Sequence, residues 1–184
     1  LLIPNDRLRY YLIARLGVDG ASTGEAEIIT SFSQIYNNSQ MEQLQTAKRQ
    51  IQDYLQPTND PTLSIPTRYL TDYKNYRHDI VHPHDTRSTT FTKAYGSDYL
   101  IGAGSFLQTA LIEELREYEK DDPEVLLRLG LRWFAPEEVM ALHGFPAGFG
   151  FAEGTTRIQK YRLLGNSMSV RVVSVLLKRL LTEL

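Results

Sequence analysis

The last eighteen residues constrain the chain most. From Ser167 to Leu184 the polar side chains of Arg171, Ser174, Lys178 and Thr182 fall on one stripe, and Val172, Val173, Leu176, Leu177 and Leu180 lie opposite. This period predicts an amphipathic terminal helix whose apolar face needs a core to dock on. With 184 residues, 42% of them hydrophobic, the chain is large enough to bury such a core in one domain, with room for an appendage. No apolar run approaches the length of a membrane span, and no signal-peptide pattern opens the chain. "LLIPNDRLRY" begins without Met, and we expect a piece of a longer protein.

Composition narrows the chemistry. The absence of cysteine rules out disulfides, thiolate zinc sites and a cysteine nucleophile within these residues, so the default location is cytoplasmic or nuclear. A formal charge of -2 argues against a protein that coats nucleic acid by net charge, and leaves room only for a local basic patch.

Punctuation divides the chain into elements. "RLRYYLIA" at 7–14 alternates as a strand would, with Leu8, Tyr10 and Leu12 on one face and Arg7, Arg9 and Tyr11 on the other. "GVDGASTGEAE" reads as a loop or linker. "SQMEQLQTAKRQIQDYLQP" has Ser39 and Glu42 in capping-box spacing and Met41, Leu44, Ile51 and Leu55 at helical intervals, predicting a helix that stops before Pro57. "PTRYLTDYKNYRHDIVHPH" predicts a short helix and turn, and "STTFTKAYGSDY" extended structure. "SFLQTALIEELREYEKDD" predicts a helix. "DPEVLLRLG" predicts another, with Asp122 as cap, Pro123 at its first position and Gly130 as stop. "APEEVMALHG" repeats that arrangement, and "FPAGFGF" follows as a rigid aromatic loop. In "YRLLGNSMSVRVV" the Gly-Asn-Ser step predicts a helix start, whose unpaired N–H groups could hold a ligand as well as a cap.

Several residues could carry chemistry. His78, His82 and His84 are spaced like metal ligands, but Pro83 denies them a fixed helical geometry, and no metal site is expected. Glu137 and Glu138 are explained by the dipole of the helix they open. "GAGS" at 102–105 lacks the lysine and third glycine of a phosphate loop. Arg7 and Arg9 suit a carbonyl or phosphate contact as well as a solvated strand face. "TFTKAYG" fits either a nucleic-acid-binding strand or a sheet edge.

Taken in order, the segments resemble the C-terminal part of a cytosine-5 methyltransferase. "IPNDRLRYYLIAR" is similar to the eighth motif of that family, "RWFAPEEVMALHGFP" to the ninth and "YRLLGNSMSVRVV" to the tenth, with the target-recognition region between the eighth and ninth. "FTKAYG" and "GFPAGFGF" resemble the type-2 branch, whose members methylate a cytosine in the anticodon loop of aspartate tRNA. The resemblance implies an α+β fold: a mainly helical target-recognition lobe with short strands, plus a strand and terminal helix belonging to a doubly wound, Rossmann-like methyltransferase domain. Residues 1–16 would end the catalytic domain, 17–150 would form the recognition region with the ninth-motif helix, and 151–184 would return to the catalytic domain.

The same resemblance assigns roles. Arg9 would contact the flipped target cytosine, with Arg7 supporting the same strand. Gly165, Asn166 and Ser167 would close over S-adenosylmethionine. Arg87, Lys93, Lys160 and Arg162 would hold tRNA phosphates, and Phe91, Thr92 and Tyr95 would form the recognition segment. Two departures stand out: Thr90 replaces the cysteine that usually begins the recognition segment in the tRNA branch, and Ala135 stands where a Thr often precedes the Pro. The cofactor loop, the Pro-Cys nucleophile and the assisting Glu would lie in an upstream catalytic half. The expectation is a tRNA cytosine-5 methyltransferase fragment that is inactive alone and exposes the apolar faces meant for that half. The alternatives are a non-catalytic RNA-binding module derived from such an enzyme, or a fragment of a DNA cytosine-5 methyltransferase.

Overall fold

The structure, a computed structural model, describes residues 4–5, 9–13, 31–46, 49–72, 77–97, 103–113 and 122–182. Its helices are α1 (Asn38–Thr46), α2 (Arg68–Thr71), α3 (Pro123–Arg128), α4 (Pro136–Leu142), α5 (Arg157–Asn166) and α6 (Val170–Thr182). Its strands are β1 (Ile80–Val81) and β2 (Phe106–Leu107), and short 3-10 turns occupy Phe32–Gln34, Ile51–Tyr54 and Pro61–Leu63. No described helix is long and apolar enough to cross a membrane.

The two strands pair in parallel, Ile80 with Phe106 and Val81 with Leu107. Single antiparallel bridges extend the ladder from Leu107 to Arg132 and from Arg132 to Ser64. All four strand residues are buried, as parallel pairs covered on both faces usually are. Around this ladder an aromatic core assembles. Phe91 meets Tyr95 and Phe134 edge-on at ring distances of 4.9 and 5.3 Å, and Tyr95 meets Tyr161 at 5.1 Å. Full burial of a ring such as Phe134 stabilises by about 1.5–3 kcal/mol. The core runs from Ile51 to Leu164, so α5 contributes Tyr161 and Leu164 to the same cluster as α3 and α4.

Two helices form where expected, for local reasons. Asp122 caps α3 by accepting the Glu124 N–H at 2.9 Å, Pro123 opens it, and Gly130 ends it at φ +59. α4 starts at Pro136 after Ala135, whose N–H is taken by Glu138 Oε2 at 2.8 Å. This is the half of a capping box that does not need the N-cap side chain, so Ala is tolerated there.

Elsewhere tertiary contacts overrode the local pattern. The helix expected over 39–55 ends at Thr46, and its cap is the reciprocal pair Asn37 and Gln40, not Ser39 and Glu42. Ile51 and Gln52 donate their N–H groups to Asp85 O at 2.7 Å and Pro83 O at 2.8 Å, which removes the bonds a continuous helix would need. "SFLQTALIEELREYEKDD" begins as β2 and not as a helix, because Phe106 N–H reaches Asp79 O at 2.8 Å and Gln108 N–H reaches Val81 O at 3.0 Å. Residues 114–121 of that segment lie outside the described residues.

The two ends of the chain also depart from expectation. Residues 9–13 are exposed and form no strand; Tyr10 and Leu12, expected together on one strand face, are 96% and 95% exposed. A strand exists only through a partner, and no described residue forms a strand pairing or bridge with 9–13. The rest of the expected strand is outside the described residues. At the other end α6 has the predicted amphipathic pattern but is not docked on the core: none of residues 170–181 is buried, and Leu177 and Leu181 are 51% and 62% exposed. The Gly-Asn-Ser step does not start that helix. Gly165 and Asn166 close α5, and Ser167 caps it, its N–H and Oγ both donating to Leu164 O at 3.0 and 2.6 Å. Burial of Tyr161 and Leu164 anchors this earlier helix, which the Thr156 and Gln159 capping box opens.

Candidate functional site

The segment 88–97 is the hub around which the motif-like stretches gather. Thr89 Oγ1 donates to Asp79 Oδ2 at 3.0 Å, Ser105 Oγ donates to the same oxygen, and Thr89 N–H donates to Ser105 Oγ at 2.9 Å. Tyr95 OH donates to Ser105 O at 2.7 Å and accepts the Phe134 N–H at 2.8 Å. Tyr161 OH donates to Phe134 O at 2.5 Å. Burial, the largest cause, raises both phenols well above their ordinary range and keeps them neutral donors. The backbone at Phe134 is thereby clamped between Tyr95 of the segment 88–97 and Tyr161 of α5.

A second clamp uses no side chain. A Cβ placed on Gly165 would lie 2.1 Å from Lys93 N and 2.3 Å from Thr92 C. The end of α5 therefore rests backbone to backbone on the segment 88–97, an approach open only to glycine. The requirement for glycine is intramolecular, while Asn166, next to it, is exposed.

The third clamp is ionic. Glu138 is 0% exposed and takes Arg132 in a bidentate pair, both N–O distances being 2.8 Å. Its oxygens also accept Ala135 N–H at 2.8 Å and Gln56 N–H at 3.0 Å. A fully satisfied buried carboxylate of this kind is costly to break, so the helix-dipole account suffices for Glu137 but not for Glu138. Glu137 holds Lys160 at 2.8 Å nearer the surface.

The N-terminal stretch joins the same hub. Pro4 O accepts the Ser88 N–H at 2.7 Å and the Ser88 hydroxyl, and Asn5 forms a parallel bridge with Ser88. Asn5 Nδ2 also lies 3.1 Å from Nε2 of the buried His143 in the turn after α4.

Of the residues singled out in the sequence, Arg9 is exposed four positions beyond this anchor, and Arg7 lies outside the described residues. Arg87, Lys93 and Arg162 are exposed, and Thr92 is half-buried. Lys93 lies against the last turn of α5 through Gly165, and Arg162 is on that helix. Lys160 is half-buried, paired with Glu137, with its Nζ 5.0 Å from the centre of the Phe151 ring. Phe91 and Tyr95 are each 1% exposed, so their rings shape the segment from within the core. The histidines are used structurally: His82 Nε2 donates to Ile112 O at 2.7 Å while its Nδ1 accepts the His84 N–H at 3.2 Å, and His78 stacks on Phe106 at 5.3 Å. Among the described residues no cluster of three or more His, Asp or Glu could hold a metal ion.

Sequence reasoning gave Glu138 only a helix-dipole role and passed over Arg132, Tyr161 and His143. A signal existed for Glu138, since an acid at the third position of a helix capped by Ala must reach back to bond the N-cap backbone. The partners of Tyr161 and His143, Phe134 and Asn5, are distant in sequence and left no local trace, while Arg132 pairs with Glu138 only six residues on.

Residues 3–182 match the sequence model of the C-5 cytosine-specific DNA methylases. The chain belongs to that family. It is 42% identical over 135 residues to a mouse tRNA (cytosine(38)-C(5))-methyltransferase, a match covering 69% of this chain and 32% of the mouse protein. It is 33% identical over 184 residues to the Schizosaccharomyces pombe tRNA (cytosine(38)-C(5))-methyltransferase, covering 99% of this chain and 52% of that protein. Among solved structures, the Entamoeba histolytica methyltransferase EhMeth superposes with a TM-score of 0.73 at 30% identity, over 98% of this chain and 50% of that one. The chain thus spans about a third to a half of the length of the relatives it matches.

Proposed function

We propose that this chain is the recognition and closing part of an S-adenosylmethionine-dependent tRNA cytosine-5 methyltransferase. Its strongest support is the 42% identity to a relative named for tRNA cytosine 38 methylation. Residues 1–16 and 151–184 would belong with the catalytic domain and 17–150 with target recognition, α5 keeping its packing on the recognition core. The exposed faces of residues 9–13 and α6 are consistent with an upstream catalytic half lying against them.

The chemistry requires a base outside its stack, which an RNA loop offers at less cost than a duplex. S-adenosylmethionine supplies an electrophilic methyl group on sulfonium. A thiolate from the upstream half would add to carbon 6 of the cytosine and make carbon 5 nucleophilic toward that methyl group, which would leave S-adenosylhomocysteine behind, and loss of the carbon 5 proton and of the thiolate would restore the ring. Here Arg9 would contact the flipped cytosine, with Arg7 beside it. Asn166 and Ser167, next to Gly165, would face the methyl donor. Arg87, Lys93 and Arg162, with Lys160 once it exchanges Glu137, would bind phosphates of the anticodon arm, with aspartate tRNA as the expected substrate. Thr92 would lie within the recognition surface that Phe91 and Tyr95 support from beneath.

The test is methyl transfer from labelled S-adenosylmethionine by the complete gene product and by residues 1–184 alone, with tRNA and duplex DNA in competition. The complete product should label one tRNA cytosine, and the isolated chain should label nothing. Transfer to duplex DNA in preference to tRNA, or turnover by the 184 residues alone, would overturn the reading.

A further inference from the structure

A single imidazole connects three stretches that are distant in sequence. His143 is 0% exposed. Its Nδ1 is 2.7 Å from Val139 O, its Nε2 is 3.1 Å from Asn5 Nδ2, its carbonyl accepts the Val170 N–H at 3.0 Å, and its ring faces Phe91 at 6.4 Å. A carbonyl only accepts, so Nδ1 carries the proton. In the neutral ring Nε2 is then an acceptor, and the Asn5 amide must turn its nitrogen toward it. Asn5 keeps that orientation although its Oδ1 is buried with no hydrogen-bond partner among the described residues. The bond to His143 therefore decides which way the amide faces.

Asn5 is held from the other side by its bridge to Ser88. Arg9 follows four residues later, within about 14 Å of extended chain. The position from which the arginine-bearing segment departs is thus set by the imidazole on one side and the recognition segment on the other. The same histidine fixes where α6 begins, just beyond the 165–167 turn.

We propose that His143 is a positioning residue: by holding Asn5 it sets where Arg9 stands relative to segment 88–97 and the 165–167 turn. It would touch neither base nor methyl donor. The inference rests on the reading of Arg9 as the contact to the target base.

The test uses the complete gene product carrying His143→Leu, His143→Gln, Asn5→Ala, the Asn5→Ala/His143→Leu double variant, and His82→Leu as a control for loss of another buried histidine. Hydrogen exchange across 4–13 is measured beside kcat and KM for tRNA and S-adenosylmethionine. With His143→Leu, exchange over 4–13 should accelerate and kcat fall roughly 10- to 100-fold while both KM values stay within about threefold. His143→Gln, which keeps an acceptor and a donor, should restore most of kcat. Asn5→Ala should match His143→Leu, and the double variant should be no worse than either. His82→Leu should lower stability but leave exchange over 4–13 and kcat at the wild-type level. If His143→Leu behaves like His82→Leu, or if the effects of Asn5→Ala and His143→Leu multiply, the proposal is wrong. Should His143→Leu not fold, Asn5→Ala alone decides: unchanged exchange over 4–13 and unchanged kcat overturn the proposal. If the wild-type product does not methylate tRNA, the functional reading fails, while the exchange comparison still decides whether His143 holds the segment.

Discussion

Replacing Gly165 by Ala sets two opposing effects against each other, and the geometry decides between them. Within a helix this change ordinarily stabilises by up to about 1 kcal/mol, because Ala loses less backbone entropy on folding. Here the new methyl would lie 2.1 Å from Lys93 N, 2.3 Å from Thr92 C and 2.5 Å from Lys93 Cα. Ordinary contact begins at 3.4 Å, so the two backbones must part by 3.4 minus 2.1, or 1.3 Å. No side chain can rotate aside to absorb this. Overpacking costs about 1–3 kcal/mol even where side chains can adjust, and a backbone contact belongs at or above the upper end. The expected net loss is about 2 kcal/mol, a fall in Tm of roughly 4–8 °C for a chain of this size. Equilibrium urea unfolding can be followed by the fluorescence of Trp133, the single tryptophan, which is 5% exposed in the core. Gly150→Ala is the control, since nothing lies within 4 Å of its added Cβ. If Gly165→Ala is as stable as wild type or more so, the backbone contact between α5 and residues 92–93 is not as described.

Two neighbouring acids should behave differently. Glu138→Gln strands Arg132 and should cost about 3–5 kcal/mol in urea melts, whereas Glu137→Gln loses a partly exposed pair and should cost under about 1 kcal/mol; equal midpoints would refute the account of the buried clamp. His78 should make stability depend on pH. Burial, opposed by a backbone hydrogen bond with Tyr69, lowers its pKa from 6.5. The unfolded chain therefore binds its proton first, and stability that is complete above 6.5 declines as pH falls through that value toward the folded pKa. His78→Phe, which keeps the stacking on Phe106, should flatten stability against pH below 6.5, and an unchanged slope would exclude His78 as the source.

What was legible in the sequence was local. Asp122, Pro123 and Gly130 delimit α3, and Pro136 opens α4, because caps and prolines act on backbone groups within a turn or so. The alternation of polar and apolar residues in α6 was equally plain, but that pattern names a face and not what covers it, and here the face is open. The family was legible from the order of the motif-like stretches, since order is a property of the chain itself.

The tertiary structure decided the rest. Carbonyls at Pro83 and Asp85 ended the helix predicted through Ile51, and those at Asp79 and Val81 turned Phe106 and Leu107 into a strand. The peptide at 92–93 explains Gly165, and Asn5 gives His143 a role no spacing announced. In each case the partner lies far away in sequence, and a bond of about 3 Å between distant residues leaves no period or cap to read.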